Sequence, residues 1–135
     1  MINLFLDDIR PCPKGFIAAR SAEECLLLLS ECEVDILSLD YELGYGQPNG
    51  SAVVRGLIAA ERYPRQIYVH SSSPSGRALM VRLLREARPV GVEIHDGPMT
   101  ESVLGAAAAS AIANVEAIEE KQAAEKRLSD HERNR

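Results

Sequence analysis

Ile2-Asn3-Leu4-Phe5-Leu6-Asp7-Asp8 opens the chain, and Val34-Asp35-Ile36-Leu37-Ser38-Leu39-Asp40 follows the same plan: a short apolar run that stops on an acid. A brief, nearly continuous apolar run is the mark of a strand buried on both faces. Between the two runs, Pro11, Pro13 and Gly15 break the chain before a second short stretch, Phe16–Ala19. Ser21-Ala22-Glu23-Glu24 is a capping box, and it opens a helix to about Glu31.

Beyond Asp40 a Gly/Pro/Asn-rich loop from Gly44 to Gly50 leads to a helical stretch from Ser51 to about Arg62, ended by Pro64. Gln66–Val69 is the next strand and runs into His70-Ser71-Ser72-Ser73-Pro74. Leu79, Met80, Leu83 and Leu84 restore helical spacing until Pro89; Val90–Ile94 reads as a fifth strand, and Gly97-Pro98 turns the chain. A last helix starts near Thr100, with Thr100 as its cap. Strands alternating with helices make a doubly wound α/β fold, a five-stranded parallel sheet with helices on both faces and strand order 2-1-3-4-5. One connection departs from this plan. Only nine residues, two of them prolines, separate Leu6 from Phe16, so the first crossover helix is reduced or missing.

The chain of 135 residues is one domain by size. Residues 1–115 form the α/β domain, and 116–135 form a polar extension of the last helix or a frayed tail. Ile112, Val115, Ile118 and Leu128 leave a patchy apolar stripe there, a candidate homodimer seam. An apolar fraction of 46% is enough for a core, which excludes a wholly disordered chain. A net charge of −5, with only four Tyr and two Phe, argues against nucleic acid as a direct partner. Leu26–Leu29 and Gly105–Ala113, the longest apolar runs, fall far short of the roughly 20 residues that span a bilayer. Asp7 and Asp8 interrupt the N-terminal apolar stretch, so no signal peptide is visible. Three cysteines without CxxC spacing make neither a disulfide framework nor a zinc site. Cys25 and Cys32, seven apart, are read as small core residues sharing a helix face, and Cys12 as incidental in its loop. The expectation is a reduced, soluble, cytoplasmic domain.

The polar residues cluster at strand ends: Asp7-Asp8, Asp40, His70-Ser71 and His95-Asp96. Open parallel sheets bind ligands beyond the carboxyl ends of their strands, at the switch in strand order. The order 2-1-3-4-5 therefore brings Asp7, Asp8 and Asp40 together. Clustered carboxylates raise one another's pKa until a cation neutralises them, and hard oxygen donors favour magnesium. Magnesium keeps open positions for phosphate oxygens, Ser71 offers a hydroxyl, and Arg10 or Arg77 offers charge. A magnesium-assisted phosphoryl site is expected. His70 is either a general acid or base beside the phosphate or a buried histidine with both nitrogens satisfied. His95 is read as structural. Ser72, Ser73 and Ser75 before Gly76 either bind an anion or cap the helix.

These residues resemble a response-regulator receiver domain. The resemblance rests on Leu6-Asp7-Asp8, on Ile36–Asp40 and on Ser71, and spans about residues 2–114. It implies a flavodoxin-like fold. It also implies Asp7, Asp8, Asp40 and the main-chain carbonyl of Glu42 as magnesium ligands, Asp40 as phosphoacceptor, and Ser71 on the phosphoryl group. Receivers carry a Lys before a Pro after the fifth strand, where this chain has Gly97-Pro98. Leu6–Pro11, Ser38–Asp40 with Leu43-Gly44, and His70-Ser71 with Gly76 and Met80 resemble more closely a divergent receiver family proposed to process cyclic phosphates. Tyr41-Glu42 stands where that family has His-Asp, and Ser73 where it has Asn. Two functions follow. One is a stand-alone phosphorelay-type phosphoacceptor served by a phosphodonor protein. The other is a metal-dependent phosphohydrolase or phosphodiesterase acting on a small cyclic phosphate, with Asp40, His70, Ser71, Ser72, Arg10 and Arg77 about the ligand.

Overall fold

The computed structural model describes residues 1–133. Five parallel strands form one sheet in the order β2-β1-β3-β4-β5: β1 (Ile2–Leu6), β2 (Ile17–Ala19), β3 (Val34–Leu39), β4 (Gln66–Val69) and β5 (Glu93–His95). The helices are α1 (Ala22–Glu31), α2 (Gly50–Ala60), α3 (Pro74–Ala87) and α4 (Glu101–Arg133). The architecture is the doubly wound one that the alternation of elements implies, and the flavodoxin-like one that the resemblance implies.

Side chains alternate across the sheet. Leu4, Leu6, Leu37, Leu39, Ile67 and Val69 point to one face, where Cys25, Leu29, Val53, Val54, Leu57, Met80 and Leu84 of α1, α2 and α3 close over them. The opposite face carries Phe5, Ser38 and Tyr68 and meets Pro13 of the β1–β2 connection and the beginning of α4. The helices are thus divided three to one, because the β1–β2 connection contributes none. That connection is a strap instead. Arg20 donates to the Asp7 carbonyl at 2.8 Å and the Arg10 carbonyl at 2.7 Å, and Asn3 donates to the Gly15 carbonyl at 3.2 Å. Gly15, at φ +88°, lies so close under α4 that a Cβ would stand 2.5 Å from the Ala107 carbonyl oxygen.

Local chemistry sets the helix starts. Ser21 accepts from the Glu24 amide at 3.1 Å, Asn49 from the Ser51 amide at 3.0 Å, Ser73 from the Gly76 amide at 3.2 Å, and Thr100 from the Val103 amide at 3.2 Å. Capping therefore accounts for Ser73. Three elements and the placement of one cysteine differ from the sequence reading. The second strand begins at Ile17. α2 spans Gly50–Ala60, because Glu61 turns left-handed at φ 53°. The fifth strand is Glu93–His95 rather than Val90–Ile94: the Val92 amide turns back to the Pro89 carbonyl, Gly91 has φ +94°, and Val90 is fully exposed. Cys32 does not share a helix face with the buried Cys25; it caps α1 in extended conformation.

α4 runs unbroken to Arg133, so the polar stretch from Glu116 is helical, and its final residues 134–135 lie outside the described residues. Ile112, Val115, Ile118 and Leu128 are all exposed along it. Among the described residues no helix is long and apolar enough to cross a membrane.

Candidate functional site

The carboxyl ends of β1, β3 and β4 converge on an open cleft of about 700 Å³. Asp7, Asp8, Arg10, Asp40, Glu42 and Ser72 line it, together with Tyr41, Tyr45 and Asn49 from the β3–α2 loop. Pairing of Leu6 with Leu39 in neighbouring parallel strands places Asp7 beside Asp40 at the strand ends. The Asp40 amide continues the ladder by donating to the Leu6 carbonyl at 3.0 Å.

Asp7 is almost wholly buried. Its Oδ1 accepts from the Ile9 amide at 2.9 Å and the Arg10 amide at 2.8 Å, which fixes the turn after β1. Its Oδ2 meets His70 Nε2 at 3.0 Å and the Arg10 guanidinium at 3.4 Å. Burial pushes the Asp7 carboxyl up, but the Arg10 and Ile9 amides and the His70 ring outweigh it and hold the group below its ordinary value. Asp40 moves the other way: burial raises its carboxyl, and the Asp7 charge adds to the rise against the bond from the Tyr41 amide to Oδ1 at 2.8 Å.

His70 links the site to the other face of the sheet. An ionised carboxylate only accepts, so Nε2 carries the proton toward Asp7, and in the neutral ring Nδ1 accepts from the Ser38 hydroxyl at 2.6 Å. Burial pushes the imidazole below its ordinary value, against the pull of Asp7 and Asp40. Phe5 stacks on the ring, with centroids 4.8 Å apart and planes within 3°. His70 is therefore the satisfied histidine of the two alternatives, although its second nitrogen is held by a side chain rather than by backbone.

Ligand atoms of Asp7, Asp40 and His70 all lie within 4.8 Å of one another. Asp8 borders the same cleft outside that trio, facing Gly44. Ser71 is buried, and its hydroxyl oxygen accepts from the Ser73 amide at 3.1 Å; Ser72 is the serine on the cleft lining. Arg77 is turned away to Asp96, with Nε 3.0 Å from Oδ1, and reaches the Ser71 carbonyl at 3.5 Å. His95 stacks on Tyr68 at 4.2 Å beyond the site. Ser38, Arg20 and Gly50 escaped the sequence reading as contributors to the site. Gly50 donates to the Tyr41 carbonyl at 2.7 Å, and a Cβ there would collide with the Asp40 carbonyl. The glycine in the loop was visible, but the backbone it approaches was not.

The donor set suits a hard divalent cation. Asp40 is raised beside an ionised Asp7, a like-charge pair that a cation relieves. The Arg10 contact to Asp7 is long and comes from a side chain 47% exposed, so it can yield.

An acidic pocket at the carboxyl edge of a 2-1-3-4-5 parallel sheet defines a receiver-type α/β domain. The chain belongs to the cyclic-phosphate processing receiver domain family, whose model matches residues 2–86. Two solved structures are similar in shape. One is a yeast Spc42 trimeric coiled-coil fusion, with 20% identity over 94% of this chain and 91% of that one at a TM-score of 0.49. The other is the response regulator domain of Thermotoga maritima CheB, with 17% identity over 85% and 93% at 0.46. No curated protein matches the chain.

Proposed function

We propose that this receiver domain accepts a phosphoryl group on Asp40 with the help of a magnesium ion. The observation that carries the reading is geometric: Asp7 and Asp40 stand side by side at the ends of β1 and β3 on the lining of an open cleft. Asp7, Asp8 and Asp40, with the main-chain carbonyl of Glu42, would hold the ion. When bound, it supplies positive charge against the clustered carboxylates and the incoming phosphate oxygens. An Asp40 oxygen attacks the phosphorus of the donor, the bond from phosphorus to the donor's leaving atom breaks (the carboxylate oxygen of an acyl phosphate, or the side-chain atom that carries the group in a phosphodonor protein), and water later releases phosphate. Arg10 and Ser72 border the cleft on the side open to the donor. Gly97 occupies the place of the usual lysine, and Arg10, 3.4 Å from Asp7, brings positive charge to the carboxylates.

Hydrolysis of a small cyclic phosphate is the second reading, favoured by the 700 Å³ cleft, which has room for far more than a phosphoryl group. It ranks second because His70, the candidate acid or base, lies off the lining of this cleft and is tied to Ser38 and Asp7.

Intact mass after incubation with magnesium and acetyl phosphate tests the first reading. A phosphoryl adduct, or donor consumption, that disappears in Asp40→Asn supports it. Consumption of acetyl phosphate that survives the substitution refutes it. Turnover of cyclic phosphates with magnesium or manganese, without an adduct, installs the second reading.

A further inference from the structure

A second cavity of about 350 Å³ opens on the face of the sheet that α1, α2 and α3 leave bare. Phe5, Ser38 and His70 floor it, and Met99 and Leu104 at the start of α4 wall it. It exists because no helix connects β1 to β2, so this part of the sheet is covered only by the strap and the head of α4. Its volume lies at the lower end of the roughly 300–1,000 Å³ typical of small-molecule pockets.

The polar groups of the lining are unequal. Ser38 and His70 spend their side-chain polar atoms on each other and on Asp7, and the Phe5 and His70 rings stack on one another, so these residues present no free polar atom to a visitor. Arg10 is different. Its NH1 reaches Asp7 and the His70 carbonyl, while its Nε and NH2 take no hydrogen-bond partner among the described residues. Arg10 lines both this cavity and the carboxylate cleft. The cavity thus offers apolar walls and one under-used guanidinium at its rim.

We propose that this cavity is a binding site for a small aromatic carboxylate, with the ring among Phe5, Met99 and Leu104 and the carboxylate on Arg10. A guanidinium suits a carboxylate because its planar donors match the two oxygens. Binding here requires neither a cation at Asp7 and Asp40 nor phosphoryl transfer. It draws on Arg10, so an occupant of this cavity changes the charge that the carboxylate cleft sees.

The three methionines provide the assay. Met99 walls the cavity, Met80 is fully buried beside Gly50 behind Asp40, and Met1 is exposed at the amino terminus. In the full chain labelled with 13C-methyl methionine, benzoate is expected to shift the Met99 resonance saturably and leave Met80 in place. Acetate, which lacks the ring, is expected to leave Met99 unmoved. Arg10→Gln is expected to weaken benzoate about tenfold, the loss of one charge-assisted bond, without weakening benzyl alcohol. Leu104→Trp, which fills the cavity, is expected to abolish both. A Met99 resonance that ignores benzoate, or that follows acetate equally, overturns the proposal. So does benzoate binding that is indifferent to Arg10→Gln, a change at a half-exposed side chain that stays informative even if Leu104→Trp does not fold.

Discussion

His70 Nε2 lies 3.0 Å from Asp7 Oδ2, joining the ends of β4 and β1 across 63 residues of sequence. The bond crosses over β3, which lies between those strands, and closes the site from beneath. Because Ser38 of β3 holds the other ring nitrogen, three strand ends are tied through one imidazole.

The pH dependence of stability should report this tie. His70 has a folded-state pKa below its ordinary 6.5, so the unfolded chain binds the proton first as pH falls. Its stabilising contribution is present above 6.5 and is lost as pH falls from there through the lower folded value. Asp7, lowered from 3.8, acts likewise in a more acidic window: its contribution is present above 3.8 and lost on further acidification. Asp40, raised from 3.8, works in the opposite sense, and its cost fades as pH falls through its raised value. Urea midpoints measured from pH 7.5 to 5 should decline, and His70→Asn should flatten the decline just below 6.5.

Ser38→Ala leaves the buried Nδ1 of His70 without its donor. We expect a loss of about 1–3 kcal/mol in urea unfolding, the cost of an unsatisfied buried polar group. Ser38→Thr, which keeps the hydroxyl, should lose less.

Asp40→Asn removes one member of a like-charge pair. Without divalent ions the variant should be more stable than the native protein by about 1 kcal/mol. Millimolar magnesium should raise the Tm of the native protein and have little effect on the variant. Scanning calorimetry with and without magnesium reads both effects.

Gly50→Ala forces a methyl group against the Asp40 carbonyl, with the sulfur of buried Met80 on its other side. A cost of about 1–3 kcal/mol is expected, as for overpacking elsewhere. The phosphoacceptor loop should be displaced with it, so adduct formation at Asp40 should fall more than stability alone explains. Chemical denaturation beside intact mass separates the two effects.

Much of the fold was legible because its signals are local. Apolar runs ending on acids located β1 and β3, a run ending on His70-Ser71 located β4, and Ser21 and Thr100 announced their helices through side-chain caps that span three residues. The fifth strand was misplaced because Val90 and Val92 are apolar, yet they lie in a turn that Gly91 and the Pro89 carbonyl impose. Arg77 was expected beside the phosphate, but Asp96 beyond β5 claims it, a pairing no local pattern encodes.

The sequence alone determined which residues stand at the carboxyl ends of the strands, since periodicity and strand-end acids are properties of a few consecutive residues. It also determined that no full crossover helix fits between β1 and β2, because only nine residues, two of them prolines, separate Leu6 from Phe16. The tertiary structure decided what those residues do to one another. Asp7 and Asp40 diverge in pKa because one is wrapped in amides and an imidazole while the other is buried beside a like charge. The imidazole is engaged rather than free because Ser38, on a strand 32 residues away in sequence, happens to meet it. Burial and hydrogen bonding between distant segments set those energies, and only the packed sheet brings the segments within reach.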